Sequence, residues 1–241
     1  MWMICKKEWQ QFFNSLTGYI AIVIFLLLTG LYLFVFPQSN VLDFGYASLS
    51  SFFNLAPWVL LFLVPTITMR SIADEYKAGT FELLRTLPLS SSQIVWGKFF
   101  GAWLIVIAAL LPTIIYAISL HALSSNAGID IGGTIGSYIG LILLGGVYTA
   151  IGVCTSSFTN NTVIAFVASA FMCFLLYTGF QAISQLAVFA AGADYYIEML
   201  GIDFHYRSIS RGVVDSRDII YFAAFIILFL LITERKILQH K

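Results

Sequence analysis

Six long apolar segments, almost free of charged residues, are the feature that most constrains what this chain can fold into. They occupy residues 19–36, 52–69, 99–120, 135–154, 163–180 and 219–233. A helix of about 20 apolar residues crosses the hydrocarbon core of a bilayer, because its backbone polar groups are satisfied within the helix. The segments therefore predict an all-α polytopic membrane protein with six transmembrane helices, built as a single transmembrane domain over residues 1–241.

The composition supports this class of protein and excludes others. Of the 241 residues, 60% are hydrophobic and only 10% are charged, and the formal net charge is zero. A soluble domain of this size could not bury so much apolar surface, and the scattered lysines and arginines give no basic face for nucleic acid. The three cysteines and three histidines are dispersed, so neither a disulfide framework nor a metal site is predicted, and no cofactor is expected.

The predicted spans also lack the residues that intramembrane catalysis or ion coupling requires. No Asp, Glu, Lys or Arg lies within a span away from its ends, although such groups mark functional sites at that depth. Gly97-Lys98 is followed by Phe99, and Ser92 stands where the first glycine of a phosphate-binding loop belongs. The chain is therefore not predicted to be an enzyme, and energy for any work has to come from another subunit.

The first fifteen residues have an amphipathic pattern. Trp2, Cys5, Trp9 and Phe12 recur at helical spacing, with lysines and glutamines between them. This pattern predicts an N-terminal amphipathic interfacial helix, lying among the lipid headgroups with its tryptophans at the interface. A signal peptide is the competing interpretation, but the apolar run 19–36 is long for one and no small-residue cleavage site follows it.

A polar hinge separates the second and third spans, beginning at Arg70 and ending at Lys98. Within it, Thr80 can cap a short helix that has Glu82 in its first turn, and Pro88 ends that helix. The apolar face of this helix is formed by Phe81, Leu84 and Leu87. A short amphipathic helix between spans 2 and 3 is typical of a cytoplasmic docking element, and an ordinary interfacial loop is the alternative.

Two further patterns concern the helices beside this hinge. Ser90 and Gln93 form a capping-box pattern that predicts the start of the third span's helix.

In the fourth span, small residues recur at positions that allow two helices to meet backbone to backbone. These candidate helix-packing residues are Gly132, Gly136, Gly140 and Gly145. The pattern leaves open whether the contact is within the chain or with a second chain.

The distribution of basic residues predicts the orientation of the spans. Six spans place both termini and the hinge on one side, which carries nine lysines and arginines, whereas the other side carries three. Because cytoplasmic segments are enriched in these residues, both termini are predicted to be cytoplasmic. On the opposite side, residues 181–189 stay apolar with a few polar positions, which suggests a helix that turns back into the outer interface.

The hinge resembles the coupling segment of the ABC-2 type permeases, the membrane subunits of ABC exporters whose ATPase is a separate chain. The resemblance rests on the pattern Glu75-x-x-x-Gly79-Thr80-x-Glu82-x-Leu84-x-x-x-Pro88, followed by Gly97-Lys98 at the start of a span. It extends over the whole chain. It implies that the residues coupling the chain to its ATPase are Glu75, Gly79, Thr80, Glu82, Leu84 and Pro88, and Phe81 and Arg85 of the same helix are predicted to act with them.

Residues 211–222, before the last span, look like the gliding-motility branch of this family, and specifically like the permease called its F subunit. That resemblance implies a bacterial inner-membrane location, an ATPase in a partner chain, a second permease chain (the same or a different one) and an auxiliary membrane protein. It carries no catalytic residue and does not indicate the substrate.

Other classes of function agree less well with the sequence. A membrane enzyme would need acids, bases or metal ligands that the spans lack, and a secondary transporter or channel would be expected to show an inverted repeat or charge at depth. A non-transporting assembly subunit of a motility apparatus stays open as the alternative to an exporting permease.

Overall fold

The computed structural model describes residues 1–37, 40–41, 48–82, 89–124, 128–186 and 194–239. Within these ranges every regular element is a helix, and six helices are long and apolar enough to cross a membrane. The prediction of an all-α polytopic membrane protein is therefore confirmed. Outside the described ranges lie residues 187–189 and four residues of the predicted short helix, namely Leu84, Arg85, Leu87 and Pro88.

We number the membrane-crossing helices as spans 1 to 6. They are Leu16–Phe34, Ser50–Thr68, Ser91–Leu123, Ile131–Ser156, Thr162–Ser184 and Ser216–Gln239. Span 3 consists of two α-helices, Ser91–Leu110 and Ile114–Leu123, joined by the 3-10 turn Leu111–Thr113. Shorter helices are Trp2–Phe13, Ala73–Lys77, Asp194–Glu198 and Ile202–Ser210.

Spans 5 and 6 continue past the C-terminal ends that the apolar pattern predicted. Span 6 was expected to end at residue 233 but continues to Gln239, so that Glu234, Arg235 and Lys236 are helical. Long charged side chains at a helix end can reach past the apolar layer, which lets the helix continue through them. Span 5 continues to Ser184, so residues 181–184, predicted to turn back, belong to the span itself.

Pro112 explains the interruption of span 3. Proline has no amide hydrogen and its ring crowds the preceding turn, so the α-helix gives way to a 3-10 turn there. Thr113 Oγ1 donates to the Leu110 carbonyl at 2.7 Å, and Tyr138 of span 4 donates to the Thr113 carbonyl at 2.9 Å. Side chains therefore bond two backbone carbonyls at this interruption, and one of these side chains comes from the neighbouring span.

The contacts of charged and aromatic side chains define two ends of the bundle. At the terminal end, the helix Trp2–Phe13, the segment after span 2 and the start of span 3 are joined by ion pairs. The end of span 6 reaches the same end, where Lys236 lies 5.2 Å from the ring centroid of Phe158, between spans 4 and 5. The opposite end, which we call the far end, carries the helices Asp194–Glu198 and Ile202–Ser210.

Span 4 is the centre of the bundle. Within its most apolar stretch 78% of the residues are buried, compared with 22% in each of spans 1, 5 and 6. It packs against spans 2, 3, 5 and 6 and against Ile202–Ser210. Its many small residues permit this, because small side chains let several helices approach the same backbone closely.

The glycines predicted to pack helices have different neighbours. A Cβ on Gly136 would lie 2.7 Å from the Ile209 carbonyl, and one on Gly140 would lie 3.2 Å from the Tyr206 ring, so both face the short helix Ile202–Ser210. The neighbour of Gly145 is Val106 in span 3 at 2.9 Å, whereas Gly132 has only the Asp130 side chain near it, at 3.5 Å. The glycine in closest contact with another span is Gly152, which is not among the four predicted packing glycines.

The far end is closed by a buried short helix in a region that the sequence presents as a polar loop. In Ile202–Ser210, Tyr206 donates a 2.7 Å hydrogen bond to the Phe53 carbonyl at the start of span 2, and burial raises the pKa of this phenol, which keeps it a neutral donor. His205 places Nδ1 2.7 Å from Asp218 and Nε2 2.9 Å from the Met199 carbonyl. These contacts fix the helix to spans 2 and 6.

The close contact at Gly152 gives a prediction about stability. A Cβ there would overlap Thr68 Oγ1 of span 2, so Gly152→Ala should force the two central spans apart and lower the unfolding free energy by about 1–3 kcal/mol, as overpacking does. The measurement is thermal unfolding of the purified chain in detergent. Gly179→Ala in span 5, where the nearest atom would lie at 3.6 Å, is the matched control and should be neutral or slightly stabilising. Equal stability of the two variants would contradict this packing.

Candidate coupling site at the terminal end

Lys98 is a fully buried lysine in the third turn of span 3, and two carboxylates surround it. Its Nζ lies 2.8 Å from Glu8 Oε1 and 2.9 Å from Glu75 Oε2, and it also donates to the Ser71 carbonyl. The contact with Glu8 is an aligned hydrogen bond, whereas the contact with Glu75 is a close ion pair without hydrogen-bond alignment. Burying a charge is costly unless it is paired, so these contacts are what allow a lysine at this position.

The ion pairs continue to a second lysine and so join three separate parts of the chain. Lys7 Nζ binds the other oxygen of Glu75, Oε1, at 2.9 Å. The order of charges is therefore Lys7, Glu75, Lys98 and Glu8, alternating in sign. Because Lys7 and Glu8 come from the N-terminal helix, Glu75 from Ala73–Lys77 and Lys98 from span 3, this cluster fastens those three elements together.

Local sequence determines where Lys98 falls in span 3. The predicted capping box is present: the Ser90 hydroxyl accepts from the Gln93 amide at 3.2 Å, and the Gln93 side chain accepts from the Ser90 amide at 3.2 Å. This cap fixes the helix start at Ser91, which sets the side of the helix on which Lys98 lies. The predicted capping box is confirmed. The ion cluster that depends on it was not predicted, because no local pattern indicates it.

The N-terminal helix packs along span 3. Ile4 and Cys5 are buried in this contact. Cβ atoms on Gly97 and Gly101 of span 3 would lie 2.9 Å from Ile4 Cβ and 2.7 Å from Glu8 Cβ, so the two glycines are what admit the helix so closely. Burial, reinforced by the Glu8 carboxylate, raises the pKa of the Cys5 thiol. The predicted position among lipid headgroups stays a prediction, but the helix is also a partner of span 3.

Ser156, at the end of span 4, holds the segment that follows span 2. Its Oγ accepts hydrogen bonds from the amides of Ile72 and Ala73, at 3.1 and 3.0 Å, and donates to the Met69 carbonyl at 3.1 Å. The first amides of a helix have no partner within it, and here one buried hydroxyl supplies the acceptor that the helix Ala73–Lys77 needs. The start of the hinge is thereby fixed to the most buried span.

The described coupling residues fall into two groups, one exposed and one in contact with other parts of the chain. Gly79, at φ 66°, turns the chain after Ala73–Lys77, and a glycine adopts this left-handed conformation without strain. Residues 80–82 are helical, so Thr80 lies in the first turn of this helix and does not precede it as its cap. Gly79, Thr80 and Glu82 are exposed.

Two of the predicted coupling residues already make contacts within the chain. Phe81, expected to be shared between the membrane interface and a partner, is only 4% exposed and packs edge-on against Tyr76, with ring centroids 4.7 Å apart. Glu75 is committed to Lys7 and Lys98. Both residues therefore organise the hinge from within the chain. These contacts cannot be read from the sequence, because no fixed spacing relates the two lysines to Glu75 or Tyr76 to Phe81.

A cavity of about 640 Å³ lies beside the exposed part of the hinge. It is bounded by Glu82 on one side and by Phe158, Asn160 and Lys236 on the other. Phe158 is 57% exposed and sits under the Lys236 ammonium. Aromatic residues are enriched in protein–protein interfaces relative to the rest of the surface.

The arrangement is a set of paired charges and hydrogen bonds that holds separate elements together. Among the described residues there is no group of three or more His, Cys, Asp or Glu that could hold a metal ion. The carboxylates of Glu8 and Glu75 are occupied by lysines, and the three cysteines are buried. The chemistry of the cluster is therefore mutual neutralisation, which joins the N-terminal helix, Ala73–Lys77 and span 3, and the Ser156 hydrogen bonds add the link to span 4.

Removing the buried lysine should break this joint. Lys98→Met leaves Glu8 without its cation and Glu75 with Lys7 alone, and loss of one partner of a buried pair typically costs about 3–5 kcal/mol. We expect a markedly lower melting temperature in detergent. Adding Glu8→Gln and Glu75→Gln to Lys98→Met should recover part of the loss, because the unpaired charges are then absent. The control is Lys6→Met, at an exposed lysine of the N-terminal helix that carries Glu8. It should have little effect. A Lys98→Met variant as stable as the Lys6→Met variant would show that the cluster is unimportant.

The chain was compared with known proteins. The family model for ABC-2 family transporter proteins matches residues 2–213, which include the N-terminal helix, the hinge, spans 1 to 5 and the far-end helices. A search of the curated proteins gave no match. The match covers most of the chain, and the six helices that could cross a membrane agree with it. The chain therefore belongs to the ABC-2 family of transporter proteins, as a multi-pass membrane permease of the kind that works with an ABC ATPase.

Proposed function

We propose that the chain is the permease subunit of an ABC exporter and that a separate ATPase chain drives it through the terminal end. The observation that carries this proposal is the joint around the hinge: Lys98 and Ser156 fix the segment after span 2 to spans 3 and 4. A displacement of the hinge is then passed to the central spans, because buried ion pairs and hydrogen bonds resist being separated.

The ATPase would bind the exposed part of the hinge. Gly79 and Glu82 line the 640 Å³ cavity, and Thr80 is exposed between them in sequence. The family resemblance implies that Leu84 and Pro88 also couple to the ATPase, and Arg85 of the same predicted helix would act with them. The cavity offers a carboxylate, an ammonium and an aromatic ring to a partner. A partner surface that places a basic group near Glu82 and an acidic group near Lys236 would complement it.

The terminal end would face the cytoplasm of a bacterial cell, with the chain in the inner membrane. This end carries most of the basic residues, and cytoplasmic segments are enriched in lysine and arginine. The ATPase and its ATP are on that side of the membrane. Both termini are then cytoplasmic, and the far-end helices Asp194–Glu198 and Ile202–Ser210 face outward.

A second permease chain would complete the transporter. Spans 1, 5 and 6 leave most of their apolar residues unburied within the chain, which supplies surface for another chain as well as for lipid. The partner would be a copy of this chain or a homologue, and the substrate would pass between the two. The resemblance of residues 211–222 to the gliding-motility branch supports an exporter associated with gliding motility, together with an auxiliary membrane protein.

Charge reversal on the exposed hinge tests the coupling. In the double variant Thr80→Lys and Glu82→Lys, two positive charges replace a neutral and a negative side chain at the proposed contact. Like-charge juxtaposition at an interface costs several kcal/mol, so a loss of about 2 kcal/mol would weaken ATPase binding roughly thirtyfold. The measurement is co-purification of the ATPase with the permease and stimulation of its ATP hydrolysis.

The controls separate a lost contact from a lost fold. The double variant should keep the melting temperature of the unmodified chain, because Thr80 and Glu82 are exposed. Glu198→Lys at the far end should leave ATPase binding unchanged. If the hinge variant still recruits and stimulates the ATPase as before, the hinge is not the coupling site. An ATPase that is recruited but drives no export would favour a non-transporting assembly subunit.

Labelling at the two ends of a single helix tests the orientation. Ser216 and Gln239 are exposed residues at opposite ends of span 6. We expect Ser216→Cys to react with a membrane-impermeant thiol reagent applied from outside, and Gln239→Cys to react only after the cells are opened. The native cysteines are buried, so background labelling should be low. Reaction of both introduced cysteines from outside would refute the proposed topology.

A further inference from the structure

A groove of about 680 Å³ runs between spans 1 and 2 from the terminal end into the apolar part of the bundle. Its mouth is polar, with Arg70, Asp74 and Glu8 on the rim, and its deeper walls are apolar. A pocket that is largely apolar with a few converging polar groups is the usual form of a ligand site. Here the separation of polar and apolar walls along one axis matches an amphipathic ligand.

Each span contributes one stripe of side chains to the walls. The stripe on span 2 is Trp58, Phe62 and Thr66, with Arg70 just past the end of the span. The stripe on span 1 is Thr17, Ala21, Ile24 and Leu28. Positions three and four apart lie on one side of a helix, so both stripes are continuous. Phe62 is 59% exposed and Ile24 is 51% exposed, so the described part of the chain leaves these apolar walls open.

The length of the groove corresponds to one leaflet of a bilayer. Thr17 and Leu28 are separated by about 16 Å along span 1, at ~1.5 Å per helical residue. Half of the hydrocarbon core is about 15 Å thick. The acyl chains of a lipid in one leaflet cover that depth, whereas a packed helix of a second chain would be expected to use the full length of the spans.

The mouth carries one cation and one anion that are not neutralised by the described part of the chain. Arg70 Nη1 donates to Thr17 Oγ1 at 3.4 Å, which holds the guanidinium across the gap between the two spans. Neither Arg70 nor Asp74 forms an ion pair with a described residue. Glu8 is already paired with Lys98. Arg70 thus offers a site for a phosphate, and Asp74, four residues later, offers a site for an ammonium group.

We propose that this groove binds one glycerophospholipid whose headgroup contains both a phosphate and a primary ammonium, as in phosphatidylethanolamine. The phosphate accepts hydrogen bonds from the Arg70 guanidinium, a strong charge-assisted contact, the ammonium pairs with Asp74, and an acyl chain lies between the two stripes. A lipid held between spans 1 and 2 would set their spacing. This site requires no ATPase, so it stands apart from the proposed export function.

The test is lipid retention by the full-length chain. The chain is purified from vesicles of equimolar dioleoyl-phosphatidylethanolamine and dioleoyl-phosphatidylglycerol, and lipids that stay bound are counted by native mass spectrometry. We expect one retained lipid, with phosphatidylethanolamine preferred. Arg70→Gln should lower retention of both lipids about tenfold, because a charge-assisted contact is lost. Asp74→Asn should lower retention of phosphatidylethanolamine only, so that the preference disappears.

Matched controls locate the effect in the groove. Arg235→Gln removes an exposed arginine at the same end of the bundle and should not change retention. Ile24→Trp keeps both charges and fills the groove, so it should abolish retention, whereas Ile227→Trp on span 6, at a similarly exposed position, should not. Because Ile24→Trp leaves the mouth intact, it decides the question even if Arg70→Gln fails to fold.

Three results would overturn the proposal. Retention that is unaffected by Arg70→Gln and by Ile24→Trp would show that the bound lipids are ordinary surrounding lipid. Equal retention of the two lipids by the unmodified chain would show that the ammonium is not recognised. Disulfide cross-linking of two Phe62→Cys chains in membranes would show that a second copy of the chain covers the groove.

Discussion

The structure depends on neutralising a lysine that lies completely inside the protein. An unpaired ammonium at the position of Lys98 would cost several kcal/mol, and the two carboxylates that prevent this come from positions 8 and 75, far away in sequence. Bringing them together fixes the N-terminal helix, the segment after span 2 and the start of span 3 in one arrangement. The terminal end is therefore an assembled joint that includes the hinge.

Span 4 supplies the other half of this arrangement. Gly152 lets span 2 approach its backbone, and Ser156, one turn later, bonds three backbone groups of the segment that leaves span 2. Spans 1, 5 and 6 are much less buried. The bundle thus has a rigid centre connected directly to the hinge and a more exposed periphery. Such a division is what a permease needs if force enters at the hinge while other spans meet lipid or a second chain.

The two ends of the bundle are held by different interactions. At the terminal end, alternating charges join separate elements, whereas at the far end a short buried helix is fixed by hydrogen bonds from Tyr206 and His205. Gly136 and Gly140 admit that helix against span 4. Small residues in span 4 therefore serve both ends: they allow close crossings of spans, and they allow the far end to be covered.

The sequence by itself determined the features that depend on local physics. Long uncharged runs can only be spans, and the Ser90–Gln93 pair caps span 3. Tertiary structure alone decided which side chains meet: that Lys98 pairs with Glu75, that Phe81 is buried against Tyr76, and that residues 202–210 form a buried helix in a polar stretch. The physical reason is that apolar length and helix caps are read within a few residues. A buried ion pair or a close crossing instead depends on how distant segments are brought together, and nothing in local spacing records that.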